Sequence, residues 1–149
     1  MPTRFQLGIS PFPVNSASPI AGLKTCNYLD QLLALRSATE GGLTEAVRLN
    51  ERGHVTSACM ANVFWLNDAQ LYTAALSTGC LPGTTRERIC ESLEVSEVEV
   101  GIEALKDVDA VFLTSAGLGI VSANEFDGRE MTPLQHAILR VVPPDSRTA

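Results

Sequence analysis

Of the 149 residues only two are lysines, Lys24 and Lys106, and the first stands in "AGLKTCNY" (21–28), among small and apolar neighbours just ahead of a helical pattern. An amine in a partly dry setting gives up its proton more readily and can attack a carbonyl to form a Schiff base. A lone lysine before a helix is also what a solvated surface charge looks like. A second stretch, "LPGTTR" (81–86), turns through a glycine into a helix start. The free N–H groups and dipole of such a start suit an anion such as a phosphate monoester, with the Thr84 and Thr85 hydroxyls as extra donors; an ordinary capped helix has the same composition. A third, "FLTSAGLG" (112–119), ends an apolar strand in hydroxyl and glycine residues. That composition fits a sheet delivering backbone donors to a ligand, and equally a plain turn.

Other chemistries find little support. Cys26, Cys59, Cys80 and Cys90 form no C-x-x-C pair, and His54 and His136 lie far apart with no metal-binding or hydrolase motif around them. Reduced, mostly buried thiols are expected, with neither a disulfide framework nor a metal site. The net charge of −6 argues against a phosphate-backbone binder, so no nucleic-acid partner is expected. With 45% apolar residues, no run long enough to cross a bilayer and no leader pattern, the chain reads as one soluble, cytoplasmic domain over residues 1–149, without a membrane partner.

These candidates must be positioned by elements that the sequence outlines. "RFQLGIS" alternates as a strand, and the prolines and serines of "SPFPVNSASPIAG" make an extended connection to Lys24. "NYLDQLLALRSATEGG" places Leu29, Leu32, Leu33 and Leu35 largely on one side of a helix, with Asn27 as cap and Gly41-Gly42 as stop. "EAVRLN" and "HVTSA", then "NVFWLN" and "QLYT", read as paired strands of a β-meander. Pro82-Gly83 precede a helix starting near Thr85, capped by Thr84 or Thr85, with Ile89 and Leu93 facing inward. "EVEVG" reads as a strand, "IEALKDV" as a short helix, "AVFLTSAG" as a buried strand, "GIVSANEFDG" as strand and turn, and "PLQHAILR" as a closing helix. Together they predict an α+β fold, a mixed β-sheet or meander with flanking helices.

An amine, a phosphate-suited helix start and a polar loop at a strand end are what a pyridoxal 5′-phosphate site requires. The stretches "SPIAGLKTCNYL", "EAVRLNERGHVTSACMANVFWLNDAQLYT", "GCLPGTTR" and "DAVFLTSAGLGIVSANEFDG" resemble, in the same order, successive signatures of the class IV pyridoxal-phosphate enzymes. That family comprises branched-chain and D-amino acid aminotransferases and aminodeoxychorismate lyases. The resemblance implies the family's C-terminal, cofactor-binding domain, with its N-terminal domain absent.

By that resemblance Lys24 is the catalytic amine, forming the Schiff base and shuttling the substrate α-proton. By the same resemblance Tyr28 falls close to the position where the branched-chain enzymes carry a tyrosine near the cofactor's phenolic oxygen, a position where lyase relatives accept other residues; packing on the first helix turn explains it equally. Gly83, Thr84 and Thr85 match the phosphate-cup turn. Ser115 and Ala116 match a second phosphate loop, Ala116 offering only its backbone N–H. Arg86 belongs to the motif but reads better as a structural tie. Ser57 departs from the pattern, which places there a glutamate facing the pyridine nitrogen. A serine brings no charge, so the electron sink is expected to weaken by on the order of several kcal/mol. The implied function is transamination of amino-acid-type small molecules, weakened by Ser57. The alternatives are aminodeoxychorismate lyase-like cleavage and a degenerate, non-catalytic domain. Surface left bare by the missing domain implies a homodimer or larger.

Overall fold

The computed structural model describes residues 4–142; Met1-Pro2-Thr3, expected to lead straight into the first strand, lie outside the described residues. Strand β1 (Gln6–Ile9) is followed by the long connection 10–28 and helix α1 (Leu29–Glu40). Strands β2 (Glu45–Leu49), β3 (Val55–Ala58), β4 (Asn62–Asn67) and β5 (Gln70–Ala74) come next, then helix α2 (Thr84–Ser92). Strands β6 (Val95–Val98), β7 (Ala110–Ser115), β8 (Gly119–Ser122), β9 (Glu125–Phe126) and β10 (Arg129–Glu130) complete the sheets. Short 3-10 turns occupy Leu76–Thr78, Ile102–Leu105 and Ala137–Arg140. The last two stand where short helices were expected; the tail is one turn only.

The strands form two five-stranded mixed sheets, ordered β10-β9-β1-β2-β3 and β6-β5-β4-β7-β8. The expected meander is therefore split. β2–β3 and β4–β5 are antiparallel pairs as read, but each belongs to a different sheet. The β4–β5 turn carries positive φ at both central residues, Asp68 (48°) and Ala69 (65°), the twist a tight hairpin needs. β6 begins two residues before the "EVEVG" reading and pairs parallel with β5.

Alternation along the strands sorts the core. Val63 and Trp65 of β4 and Val111 and Leu113 of β7 join Leu7, Val47, Val55 and Phe126 between the sheets. Phe64, Leu66 and Phe112 point the other way and pack with Ile89 of α2 and Ile138. The second sheet is covered on both faces. Burial of Ile89 alone is worth about 1.5–3 kcal/mol. On the first sheet α1 presents Ala34 and Ala38 to Ala46 and Cys59. Here the leucine reading changes: Leu29, Leu32 and Leu33 are 64%, 52% and 49% exposed, and the small residues are the inner face. The two pairs of spacings differ by a rotation of the helix that composition alone does not fix. α1 also starts later than read. Tyr28, not Asn27, holds the cap position, with no side-chain cap bond, and Gly41 ends the helix.

Candidate functional site

Connection 10–28 carries Lys24, and it is pinned along its first half. The Val14 amide donates to the Leu49 carbonyl at 2.8 Å, beside a parallel bridge to Asn50. Ser16 donates twice to the Glu51 carboxylate, from its amide at 2.8 Å and its hydroxyl at 2.7 Å. Those bonds hold the Glu51 carboxyl below the usual carboxylate range. Gly79 (φ +94°) lies so close that a Cβ there would stand 3.0 Å from the Ser16 Cα. Past these ties Lys24 is exposed, not in the partly dry setting expected of it. Its Nζ donates to the Tyr28 Oη at 2.8 Å and lies 5.0 Å from the ring centroid. A single turn of chain between them lets the amine fold back on the phenol.

Facing Lys24 is a cavity of about 820 Å³. Lys24, Tyr28, Ser57, Gly83, Thr84, Thr85, Ser115 and Ala116 all line it. Sequence separation of up to ninety-odd positions is closed by the two sheets, which set the connection, β3, α2 and the end of β7 around one space.

The start of α2 is bare. Gly83 occupies the cap position in extended backbone and no side chain caps the helix, so neither Thr84 nor Thr85 plays the capping part expected of it. Leading N–H groups without a cap are the donors an anion would use. Asn62, at the start of β4, shapes this turn: its Nδ2 donates to the Leu81 carbonyl at 2.8 Å, and its Oδ1 would lie 2.3 Å from any Cβ at Gly83. Arg86 is the structural tie anticipated. It is 4% exposed and donates to the Ala74 carbonyl at 3.0 Å and to Glu97 at 2.5 Å, binding α2 to β5 and β6.

At the end of β7 the Ser115 hydroxyl accepts from the Leu118 amide at 3.0 Å and so shapes its own loop. Its neighbour Thr114, also lining the cavity, is fully buried, and its Oγ1 has no partner among the described residues. A buried hydroxyl without a partner is costly unless something fills the role. Asn62, Thr114 and Arg48 are site residues that sequence reasoning missed. Arg48 was the visible signal, a charge inside the apolar alternation "EAVRL".

Cys59 borders the cavity as well. Burial, helped by the Glu45 carboxylate, pushes its thiol from the ordinary 9.0 up to about 12, so it stays protonated and unreactive near neutrality. Glu45 itself is committed, accepting from the Ala46, Cys59 and Met60 amides. Among the described residues no group of three His, Cys, Asp or Glu side chains is placed to hold a metal, and no helix is long and apolar enough to cross a membrane.

A family profile described as "Amino-transferase class IV" matches residues 2–126. An aminodeoxychorismate lyase of Vibrio harveyi is 28% identical over 130 residues, covering 84% of this chain and 48% of the relative. A solved structure of a Legionella pneumophila protein assigned as a 4-amino-4-deoxychorismate lyase superposes with a TM-score of 0.84 at 30% identity, covering 94% of this chain and 54% of that one. A branched-chain amino acid aminotransferase from Thermobaculum terrenum, solved in its PLP (holo) form, gives 0.78 at 26% identity, with 86% of this chain and 44% of that one covered. The chain spans about half the length of the curated relatives it matches, or less.

Proposed function

The chain belongs to the class IV aminotransferase family, and on that premise we propose that it binds pyridoxal 5′-phosphate and acts on the α-carbon of amino-acid-type substrates. The observation that carries the reading is the shared cavity: the Lys24 amine and the uncapped start of α2 open onto one space. The residues fit the group. No side chain caps the α2 start, Thr114 Oγ1 has no partner among the described residues, and bare backbone at Gly83 leaves an anion room that a side chain would take.

Bound there, the cofactor supplies an aldehyde with which amines condense and a ring that takes up electrons from the substrate α-carbon. Lys24 holds it covalently and afterwards serves as acid and base at the α-carbon. Tyr28, at 2.8 Å, keeps the Lys24 amine oriented. Gly83, Thr84 and Thr85 at the helix start, with Ser115 and the Ala116 N–H from the second loop, receive the phosphate, and Asn62 keeps that turn in shape. Ser57 also lines the cavity and brings no charge, so turnover is slower than with a carboxylate while cofactor binding is little changed.

Transamination is the first reading. Cleavage of an aminodeoxychorismate-type substrate is the second, favoured by the similarity to the Vibrio and Legionella proteins. The exposed leucines of α1 support the expected homodimer, and a cytoplasmic setting accords with free thiols throughout. The test is to mix the protein with pyridoxal phosphate, reduce with borohydride and map the adduct by mass. Modification at Lys24, lost in Lys24→Ala, is expected; an unmodified chain refutes the reading. Ketoacid formation from an amino-acid panel, beside pyruvate release from aminodeoxychorismate, separates the two activities. Ser57→Glu should raise whichever rate is found about tenfold or more.

A further inference from the structure

Arg48 is buried at this cavity with a full charge. It is 3% exposed on β2, stands directly across the strands from Ser57 of β3, and both side chains line the space. Its Nε donates to the Phe12 carbonyl at 3.2 Å and its Nη2 to the Pro13 carbonyl at 3.1 Å. Neutral acceptors fix the guanidinium without cancelling its charge. The remaining ionisable groups around the cavity are few. Among the described residues Asp30 of α1 is the sole carboxylate lining it, 3.6 Å from Arg48 Nη2 but 80% exposed, where water screens it. Lys24 and Tyr28 belong to the connection, and Cys59 and Cys80, kept protonated by burial, lie after β3 and before α2. Behind the wall the buried Glu45 carboxylate is taken up by the Ala46, Cys59 and Met60 amides. Once Lys24 is bonded to the aldehyde, Arg48 is the buried cation that remains at the lining.

Resting on the cofactor reading above, we propose that Arg48 and Ser57 together hold the pyridine nitrogen of the bound cofactor unprotonated. That nitrogen is para to the ring carbon that bears the aldehyde. With the aldehyde at Lys24 and the phosphate at α2, the start of α1 and the β2–β3 wall remain. Of their charged groups Arg48 is buried whereas Asp30 is exposed, so we set the nitrogen against β2–β3. A second positive charge beside a buried guanidinium is disfavoured, so the ring gives up its proton. The Ser57 hydroxyl, free to rotate, donates to the nitrogen lone pair that results. Serine at position 57 and arginine at position 48 then form one device. The site selects a neutral ring, and the serine is not simply a lost carboxylate.

The experiment loads the full chain with pyridoxal phosphate carrying 15N in the ring, verifies attachment at Lys24 by borohydride reduction and mass, and follows the 15N shift through a pH titration. The wild-type signal should sit at the free-base pyridine position across neutral pH, and Ser57→Glu should move it to the pyridinium position. Arg48→Met should raise the titration midpoint by about 1–3 pH units, whereas Arg48→Lys, which keeps the charge, should stay near wild type. Should Arg48→Met fail to fold, the wild-type, Arg48→Lys and Ser57→Glu signals still decide. An adduct at Lys24 with a pyridinium signal in the wild type overturns the proposal and leaves the cofactor reading standing. No adduct overturns both.

Discussion

Gly83 has no room for a larger residue, because a Cβ would meet the Asn62 amide that holds the Leu81 carbonyl. Gly83→Ala should therefore displace Asn62, cost about 1–3 kcal/mol in urea unfolding and weaken cofactor uptake measured by absorbance titration. Asn62→Ala should restore the space, so the double variant is expected to lose less than the sum of the singles. At this scale the sequence was informative where chemistry is tied to residue type. Lysine, glycine and threonine in "AGLKTCNY" and "LPGTTR" pointed to positions that do share a cavity. Asn62, Arg48 and Thr114 were not legible, since each matters through a neighbour distant in sequence: Leu81 and Gly83, Phe12 and Pro13, or an unfilled bonding position. The exposure of Lys24 was equally hidden, for composition of near neighbours says nothing about which surfaces close over a side chain.

Helix α2 is oriented at its start by Arg86 and along its length by Ile89. Arg86→Ala should lower stability by about 1–3 kcal/mol in denaturant unfolding, since the Ala74 carbonyl loses a buried donor while Glu97, 43% exposed, regains water. Cofactor affinity should fall with it, and Arg86→Lys should recover part of each. Strand existence was well encoded: the short continuous apolar runs in "NVFWLN" and "AVFLTS" became β4 and β7, packed on both faces. Sheet membership was not, because the short link 59–61 between β3 and β4 passes from one sheet to the other and nothing in local pattern marks that change. Helix ends drifted by one or two residues for a similar reason. Asn27 is a good cap by type, but the chain reaches α1 with Tyr28 at the cap position, where no side chain bonds to the freed amides.

Across the whole molecule, Leu23, Leu29, Leu32 and Leu33 stand exposed along the connection and α1, with Leu23, Leu29 and Leu33 at the cavity rim, an apolar cluster of the kind that marks an interaction surface. Light scattering is expected to give a dimer or larger, and Leu32→Ser with Leu33→Ser to shift it toward monomer with little change in far-ultraviolet circular dichroism. The α+β class was readable because strand and helix periods alternate along the chain. The division into two sheets needed three dimensions. The Ser16–Glu51 clamp has an outcome of its own in acid. A carboxyl held below its ordinary 4.5 contributes above that value and stops contributing as falling pH carries it through protonation. Amide exchange at Ser16 should then quicken while β4 and β7 stay protected. Only below pH 4.5, then, would the lysine's tether slip its mooring, ahead of the hull giving way.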